Sequence, residues 1–305
     1  MPNYRLYDQL IISDLPLVAP ISAGTVFYQG DPIRIRHRSP PPPVAWVVEG
    51  DGLAHAFEEE RLHIYYPQVG TFTLIGRDAI EVAPEGPPDV VSFYLTGAVL
   101  GILLRLRGYT VLHANAVAFS GGAVLFAGPS GAGKSTLTAA CASHGYGVIT
   151  DDLAVVDTTS EPARITGGPP GVRLHADVAT EMLQRGASVL GEHRATNKVA
   201  LACPKAVDAP GSILAVLLLD PAPADAPSIV PVGKTEAALG LVEHAHMAQS
   251  LGPMDLSRKH LQGVSQMVRH IPTFRIRRTS NLADVDTLVE QLRDTVTSHT
   301  SENNV

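Results

Sequence analysis

The rhythm of apolar and polar positions changes near residue 86. Before it, short alternating runs recur: Leu10–Ile12, Val26–Tyr28, Ile33–Ile35, Val44–Val48, Arg61–Tyr65, Thr71–Leu74 and Ala79–Val82. Each has the length and period of a half-buried strand. Turn residues separate them: Gly30-Asp31-Pro32, the prolines 40–43, Gly50-Asp51-Gly52 and Gly76-Arg77-Asp78. The pattern predicts a small β-rich domain over residues 1–86. Its histidines (His37, His55, His63) are scattered and read as exposed or packing groups.

Pro84-Glu-Gly-Pro-Pro88 reads as a linker into a second domain, residues 87–305. An apolar run from Val90 to Leu104 follows, closed by Arg105 and Arg107. It falls short of the ~20 residues that a membrane-spanning helix takes and predicts a buried helix over 88–108. Thr110–Phe119 is extended. Ser120-Gly121-Gly122 turns it back into Ala123–Ala127, so the two predict a hairpin. A helix follows from Thr136 to Ala142, with Gly145 as its C-terminal stop.

Further strands are predicted at Val148–Thr150, Leu153–Val156, Arg164–Thr166, Lys198–Ala202, Ile213–Leu219 and Thr273–Arg277. Helices are predicted near 177–184, 234–250, 255–269 and 282–297. Residues 186–197 and 221–227 read as loops, and 298–305 as a frayed tail.

Between Ala127 and the next helix stands Gly128-Pro-Ser130-Gly131-Ala132-Gly133-Lys134-Ser135-Thr136, a full match to G-x-x-x-x-G-K-[ST]. A strand feeds it and a helix leaves it, the context that makes it a phosphate-binding loop. Glycines let successive backbone N–H groups face phosphate oxygens, and the helix adds its positive dipole end. Lys134 supplies a point charge and Ser135 a hydroxyl for Mg²⁺.

Phosphate chemistry also needs carboxylates near the metal ion. Asp151-Asp152 follows the strand after the loop's helix. In a strand–helix–strand unit both strands end on the same edge of the sheet, so the acid pair and the loop meet there. One carboxylate can share Mg²⁺ with Ser135 and the other can take a proton from an attacking hydroxyl. Asp220 is a rival. It ends the apolar run Ile213–Leu219, as the metal-binding acid of many ATPases does, although Pro221 follows it.

Composition narrows the picture. The 305 residues are 45% hydrophobic and carry 24 prolines, enough for a sizeable core and many loops. A net charge of −7 argues against a general nucleic-acid binder. Cys141 and Cys203 have no metal-ligand spacing. The N-terminus lacks the basic start and apolar core of a signal peptide. A cytoplasmic protein is expected, with no membrane contact.

The run from His113 through Asp152 resembles the bacterial HPr kinase/phosphorylases and their HPr-kinase-related relatives. The shared order is a histidine on a strand, a hairpin, the loop with Lys134-Ser135, one helix, a glycine turn and the Asp151-Asp152 pair. Weaker likeness reaches Gly168–Leu174, the Lys198 segment, His244-Ala-His246 and the last strand and helix. The N-terminal domain looks like that of shorter relatives found with lasso peptide biosynthesis, which phosphorylate a serine of the precursor. The resemblance implies an α/β fold with a P-loop kinase core of the HPr kinase / phosphoenolpyruvate carboxykinase type, preceded by the β-rich unit.

It also implies transfer of the ATP γ-phosphoryl group to a serine of a peptide or protein, with Mg²⁺, by a chain that forms homo-oligomers. His113 would then lie beside the phosphates, Lys134 and Ser135 would bind phosphate and Mg²⁺, and Asp151 and Asp152 would supply base and metal contacts. The bifunctional enzymes' glycine-rich signature with its acid-containing sequel is absent, Gly167–Arg173 being the nearest stretch. The likeness therefore stops short of the reverse reaction and of HPr as acceptor.

Other residues are weighed singly. Arg173 and Lys198 can each neutralise phosphate or stand on the surface. His244 and His246, two apart on a predicted helix, face different sides and do not make a metal pair. Arg275, Arg277 and Arg278 form a basic edge that is either solvated or docks an acidic partner. A small-molecule kinase on the same scaffold and a nucleotide-dependent switch remain alternative functions.

Overall fold

The computed structural model describes residues 2–17, 30–49, 52–169, 171–184, 188–193, 198–202, 211–246 and 256–302. These divide into two compact units, one up to Gly108 and one from Tyr109 onward.

The first unit is one eight-stranded sheet. Its strands are β1 (Asn3–Leu6), β2 (Gln9–Ser13), β3 (Ile33–His37), β4 (Val47–Val48), β5 (Ala54–Glu58), β6 (Arg61–Tyr66), β7 (Gly70–Ile75) and β8 (Ala79–Pro84). They lie in the order β1-β2-β3-β8-β7-β6-β5-β4. β3 runs parallel to β2 and β8, and the other neighbours are antiparallel. β1 and β5 are strands beyond those predicted. The expected strand Val44–Val48 shrinks to its last two residues, with Val44 99% exposed. The expected strand Val26–Tyr28 lies outside the described residues.

The apolar run becomes a helical segment: α1 (Pro88–Tyr94), a π-turn (Leu95–Val99) and α2 (Leu100–Arg107). At 20 residues it is longer than the run that predicted it, and by length and composition alone it could cross a membrane. Two-thirds of its apolar window is buried inside the protein. It is grouped with the first unit, so the division falls after it and not at 86. The side chains give the reason: Tyr7 Oη donates to Thr96 O (3.2 Å), and Arg107 donates to Gln9 Oε1 (2.6 Å) and to Arg77 O (2.7 Å).

The second unit is mixed α/β. It contains β9 (Thr110–Leu112), β10 (Ala114–Phe119), β11 (Gly122–Ala127), α3 (Lys134–Ser143), β12 (Gly147–Thr150), β13 (Ala154–Asp157) and β14 (Arg164–Ile165). Then come β15 (Val172–His175), α4 (Ala176–Gln184), β16 (Ser188–His193), β17 (Lys198–Ala202), β18 (Gly211–Leu219), β19 (Ser228–Pro231) and α5 (Lys234–Glu243). The chain ends with α6 (Leu256–His270), β20 (Thr273–Arg277), a short 3₁₀ turn (Leu282–Asp284) and α7 (Val285–Glu302).

The main sheet runs β12-β10-β11-β18-β14-β13-β9. β20 also lies beside β18, and β19 beside β20. β15, β17 and β16 form a separate three-stranded sheet.

The central strands are apolar at nearly every position because both faces are covered. In β11, Ala123, Leu125 and Ala127 face one layer with Leu241 of α5 and Val264 and Met267 of α6. Val124 and Phe126 face the other, with Leu137 of α3 and Leu288, Val289 and Leu292 of α7. The same alternation runs from Ala215 to Leu219 of β18.

Three expectations change here. Residues 188–193 form β16 and are not loop, because they pair with β17. The helix expected to reach residue 250 stops at Glu243, where His244 O accepts from His113 N (2.8 Å) and Ala245 bridges Leu112. The helix expected to end at 297 runs on to Glu302, so the described part of the tail is helical.

Candidate functional site

β10 and β11 form the predicted hairpin, with Ala114 opposite Ala127. β12 pairs antiparallel with β10, with Thr150 opposite Ala116. β11 and β12 therefore point the same way with β10 between them, and both end at one edge of the sheet. His113, just before β10, is at that edge too. Chain direction alone thus brings Gly128, Asp151 and His113 together.

The loop wraps from Gly128 into α3. Gly131 and Gly133 take φ of +81° and +96°, the left-handed region open to glycine. Gly133 caps α3 with no side-chain bond, so the first N–H groups of the helix stay available to an anion. Lys134 is buried at the first helical position, and its Nζ donates to Gly128 O (2.7 Å) and Pro129 O (3.0 Å).

Asp151 is 4% exposed and fully engaged. Its Oδ1 accepts from Ser135 Oγ (3.0 Å) and Asn115 Nδ2 (2.7 Å). Its Oδ2 accepts from Arg173 N (3.0 Å) and Arg173 Nε (3.2 Å). Asp152 differs. Its side chain is 49% exposed and its φ is +76°, unusual for a residue other than glycine. His113 Nδ1 lies 3.3 Å from its Oδ1 and Arg173 Nη2 lies 3.6 Å from its Oδ2.

Two more residues complete the site: Asn115, which sequence reading passed over, and His244, which it weighed only as half of a metal pair. Asn115, wholly buried in β10, joins both walls. Its amide donates to Asp151 Oδ1 and Thr138 Oγ1 (3.0 Å), while its Oδ1 accepts from Asp152 N (2.9 Å). The available signal was one amide in a strand of small apolar residues. His244 is the second. It does not lie on a helix, as expected, but in the short pairing with the end of β9. Burial pushes its pKa below 6.5, and Lys134 and His113 nearby push the same way against Glu243.

Other expected residues lie elsewhere. Asp220 ends β18 beside the loop, but its carboxylate accepts from Arg275 Nη1 and from Arg277 Nε (3.1 Å). Arg275 also pairs with Glu236. Arg278 Nε donates to Ala132 O (2.6 Å) and Nη2 to Gly131 O (3.2 Å). The three arginines thus make bonds inside the molecule, while the Arg277 side chain stays 54% exposed. The backbone of Lys198 pairs with His175 in the small sheet.

No family model matches the chain, and no curated protein matches it. A solved structure of the HPr(Ser) kinase/phosphatase from Coxiella burnetii is similar at 15% identity and a TM-score of 0.32. The match spans 61% of this chain and 98% of that one. At that level the likeness transfers no activity.

Ser135 and Asp151 offer hard oxygen donors. Mg²⁺ needs only one or two carboxylates when phosphates supply the rest, so these residues fit it. No group of three or more His, Cys, Asp or Glu able to hold a metal ion by themselves occurs among the described residues.

Proposed function

We propose that the second unit is an ATP- and Mg²⁺-dependent kinase that transfers the γ-phosphoryl group to a serine hydroxyl of a peptide or protein. The observation that carries this reading is the unequal pair of acids beside the loop. Asp151 is buried against Ser135, and Asp152 is presented to solvent between His113 and Arg173.

The loop's glycines and the start of α3 hold phosphate oxygens through backbone N–H groups. Lys134 turns from the carbonyls of Gly128 and Pro129 to the outer phosphates. Asp151 and Ser135 would hold Mg²⁺, which would supply positive charge against the phosphates. Asp152 takes the proton of the acceptor hydroxyl as its oxygen bonds to the γ-phosphorus. The bond from that phosphorus to the β–γ bridging oxygen breaks, and ADP leaves. Arg173 supports the charge on the transferred group through its planar fork.

The test is incubation with γ-labelled ATP, Mg²⁺ and an array of serine-containing peptides. Label is expected on peptide, with Ser→Ala peptides unlabelled. Label found only as free phosphate would sink the kinase reading in favour of a nucleotide-hydrolysing switch. The pairing of Asp220 with two arginines speaks against that alternative.

A further inference from the structure

The first unit holds a cavity of about 530 Å³ that the site above does not use. Its lining comes from the proline-rich segment after β3 and from β5, β6 and β8. The charged groups there are Glu58, Glu59 and Glu81 against Arg38 and Arg61. Arg38 Nη1 donates to Glu81 Oε1 (3.1 Å), and Val44 N donates to Glu58 Oε1 (2.7 Å).

His63 is the group without a structural reason. Its side chain is 1% exposed and lines the cavity, and its Nε2 has no hydrogen-bond partner among the described residues. A buried polar atom left so is costly, and native proteins keep few of them. Glu58 Oε2 is 3.8 Å away, beyond hydrogen-bond range. On the other side of the ring, Nδ1 lies 3.0 Å from Thr73 Oγ1. With its proton donated there, Nε2 turns a lone pair toward Glu58. Two acceptors at that separation leave room for one N–H donor between them, about 2.9 Å from each.

The cavity opens beside the edge of the sheet. Val44 lines it and begins the uncharged run Val44-Ala-Trp-Val-Val48. β4 closes that run, pairs only with β5 among the described residues, and stands last in the sheet. Val44, Val47 and Val48 are all exposed. Edge strands are ordinarily blunted by charge, because their free N–H and C=O groups accept another chain. An apolar edge next to a pocket for one side chain suits strand addition, in which main-chain pairing gives affinity and the pocket gives specificity.

We infer that the first unit docks an extended segment of a partner peptide along β4 and takes one lysine or arginine side chain into the cavity, its cation between Glu58 and His63. Three carboxylates against two guanidinium groups favour a basic side chain over an acidic one. The site uses no residue of the proposed kinase site and does not depend on that reading.

Trp46 is the protein's one tryptophan, and its ring centroid lies 6.3 Å from that of His63, so its fluorescence reports on the site. The full-length protein is titrated with a blocked peptide of valine and threonine, both good strand formers, around a central arginine. Three more ligands are compared: the same peptide with uncharged citrulline for arginine, a version N-methylated on alternate residues to block strand pairing, and agmatine, a free guanidinium. Wild type should bind the arginine peptide saturably and each of the other three at least about tenfold more weakly. Glu58→Gln, which keeps an acceptor for Val44 N, should weaken the arginine peptide about tenfold with a thermal midpoint near that of wild type. No saturable binding of the arginine peptide, or citrulline as tight as arginine, would overturn the inference. Agmatine or the N-methylated peptide as tight as the parent would overturn docking along β4, and unchanged affinity in Glu58→Gln would overturn the place given to the cation. The citrulline comparison is made in wild type, so it decides even where the variant folds poorly.

Discussion

Between Asp151 and Asp152 the backbone turns left-handed, which sends the two carboxylates in different directions. A left-handed aspartate costs on the order of 1–3 kcal/mol and persists only where its surroundings enforce it. Here Asn115 Oδ1 holds the Asp152 N–H, and Thr150 Oγ1 closes the turn on Leu153 O (2.8 Å). The two acids should therefore fail in different ways. Asp152→Asn keeps the shape and removes the proposed proton acceptor, so kcat should fall by about 10²–10⁴ with ATP affinity nearly unchanged. Asp151→Asn should instead weaken Mg-ATP binding and lower thermal stability, because it leaves Arg173 without its buried anion. Steady-state kinetics paired with nucleotide titration separates the two, and equal defects in both parameters for both variants would refute the division of labour. The acids and the loop are legible in sequence because each is a short local pattern. Asn115 is not, since its role exists only once β10 lies between β11 and β12.

At the scale of elements, β11, the loop and α3 act as one piece. Gly128 is closely packed, since a Cβ there would stand 3.0 Å from Leu219 Cβ. Gly133 needs its φ, and a Cβ there would stand 2.8 Å from Arg278 Nε. Gly133→Ala should cost about 1–3 kcal/mol in a denaturant melt and should also loosen phosphate binding, because Arg278 must move. A variant with wild-type stability and binding would show that the left-handed cap is dispensable. Strands and helices with strong periodicity, such as β18 and α6, follow their sequence patterns closely. Two of the misses share a cause. Helical pattern continues past Glu243, yet the chain leaves the helix because His244 and Ala245 pair with the end of β9. Residues 188–193 look polar and loop-like, yet β17 recruits them as a strand. In both, pairing outweighs local preference; the partner of Ala245 is Leu112, far away in sequence, whereas the partner of β16 is its hairpin neighbour β17.

Across the whole molecule, each unit holds a histidine whose pKa is lowered, one buried and one half-buried. In the first unit His63 is 1% exposed, with Thr73 Oγ1 3.0 Å from its Nδ1 and Trp46 packed edge-on. Burial lowers its pKa most and Arg61 adds to that, while Glu58 and Glu81 oppose. In the second unit His244 shifts the same way. A folded pKa below the unfolded 6.5 means that the unfolded chain binds more protons between the two values. Stability is therefore unaffected well above 6.5 and falls as pH drops through that window. Thermal melts at about pH 7.5 and about pH 5.5 should show a lower midpoint at the acid value. His63→Gln, which keeps a polar group facing Thr73 and cannot take up the proton, should flatten the pH dependence of the first unit's transition and leave that of the second. If the variant melts with the same pH dependence as the wild type, other groups govern acid unfolding. Because the readout is the midpoint and not turnover, it bears on burial alone and stands apart from the kinase proposal.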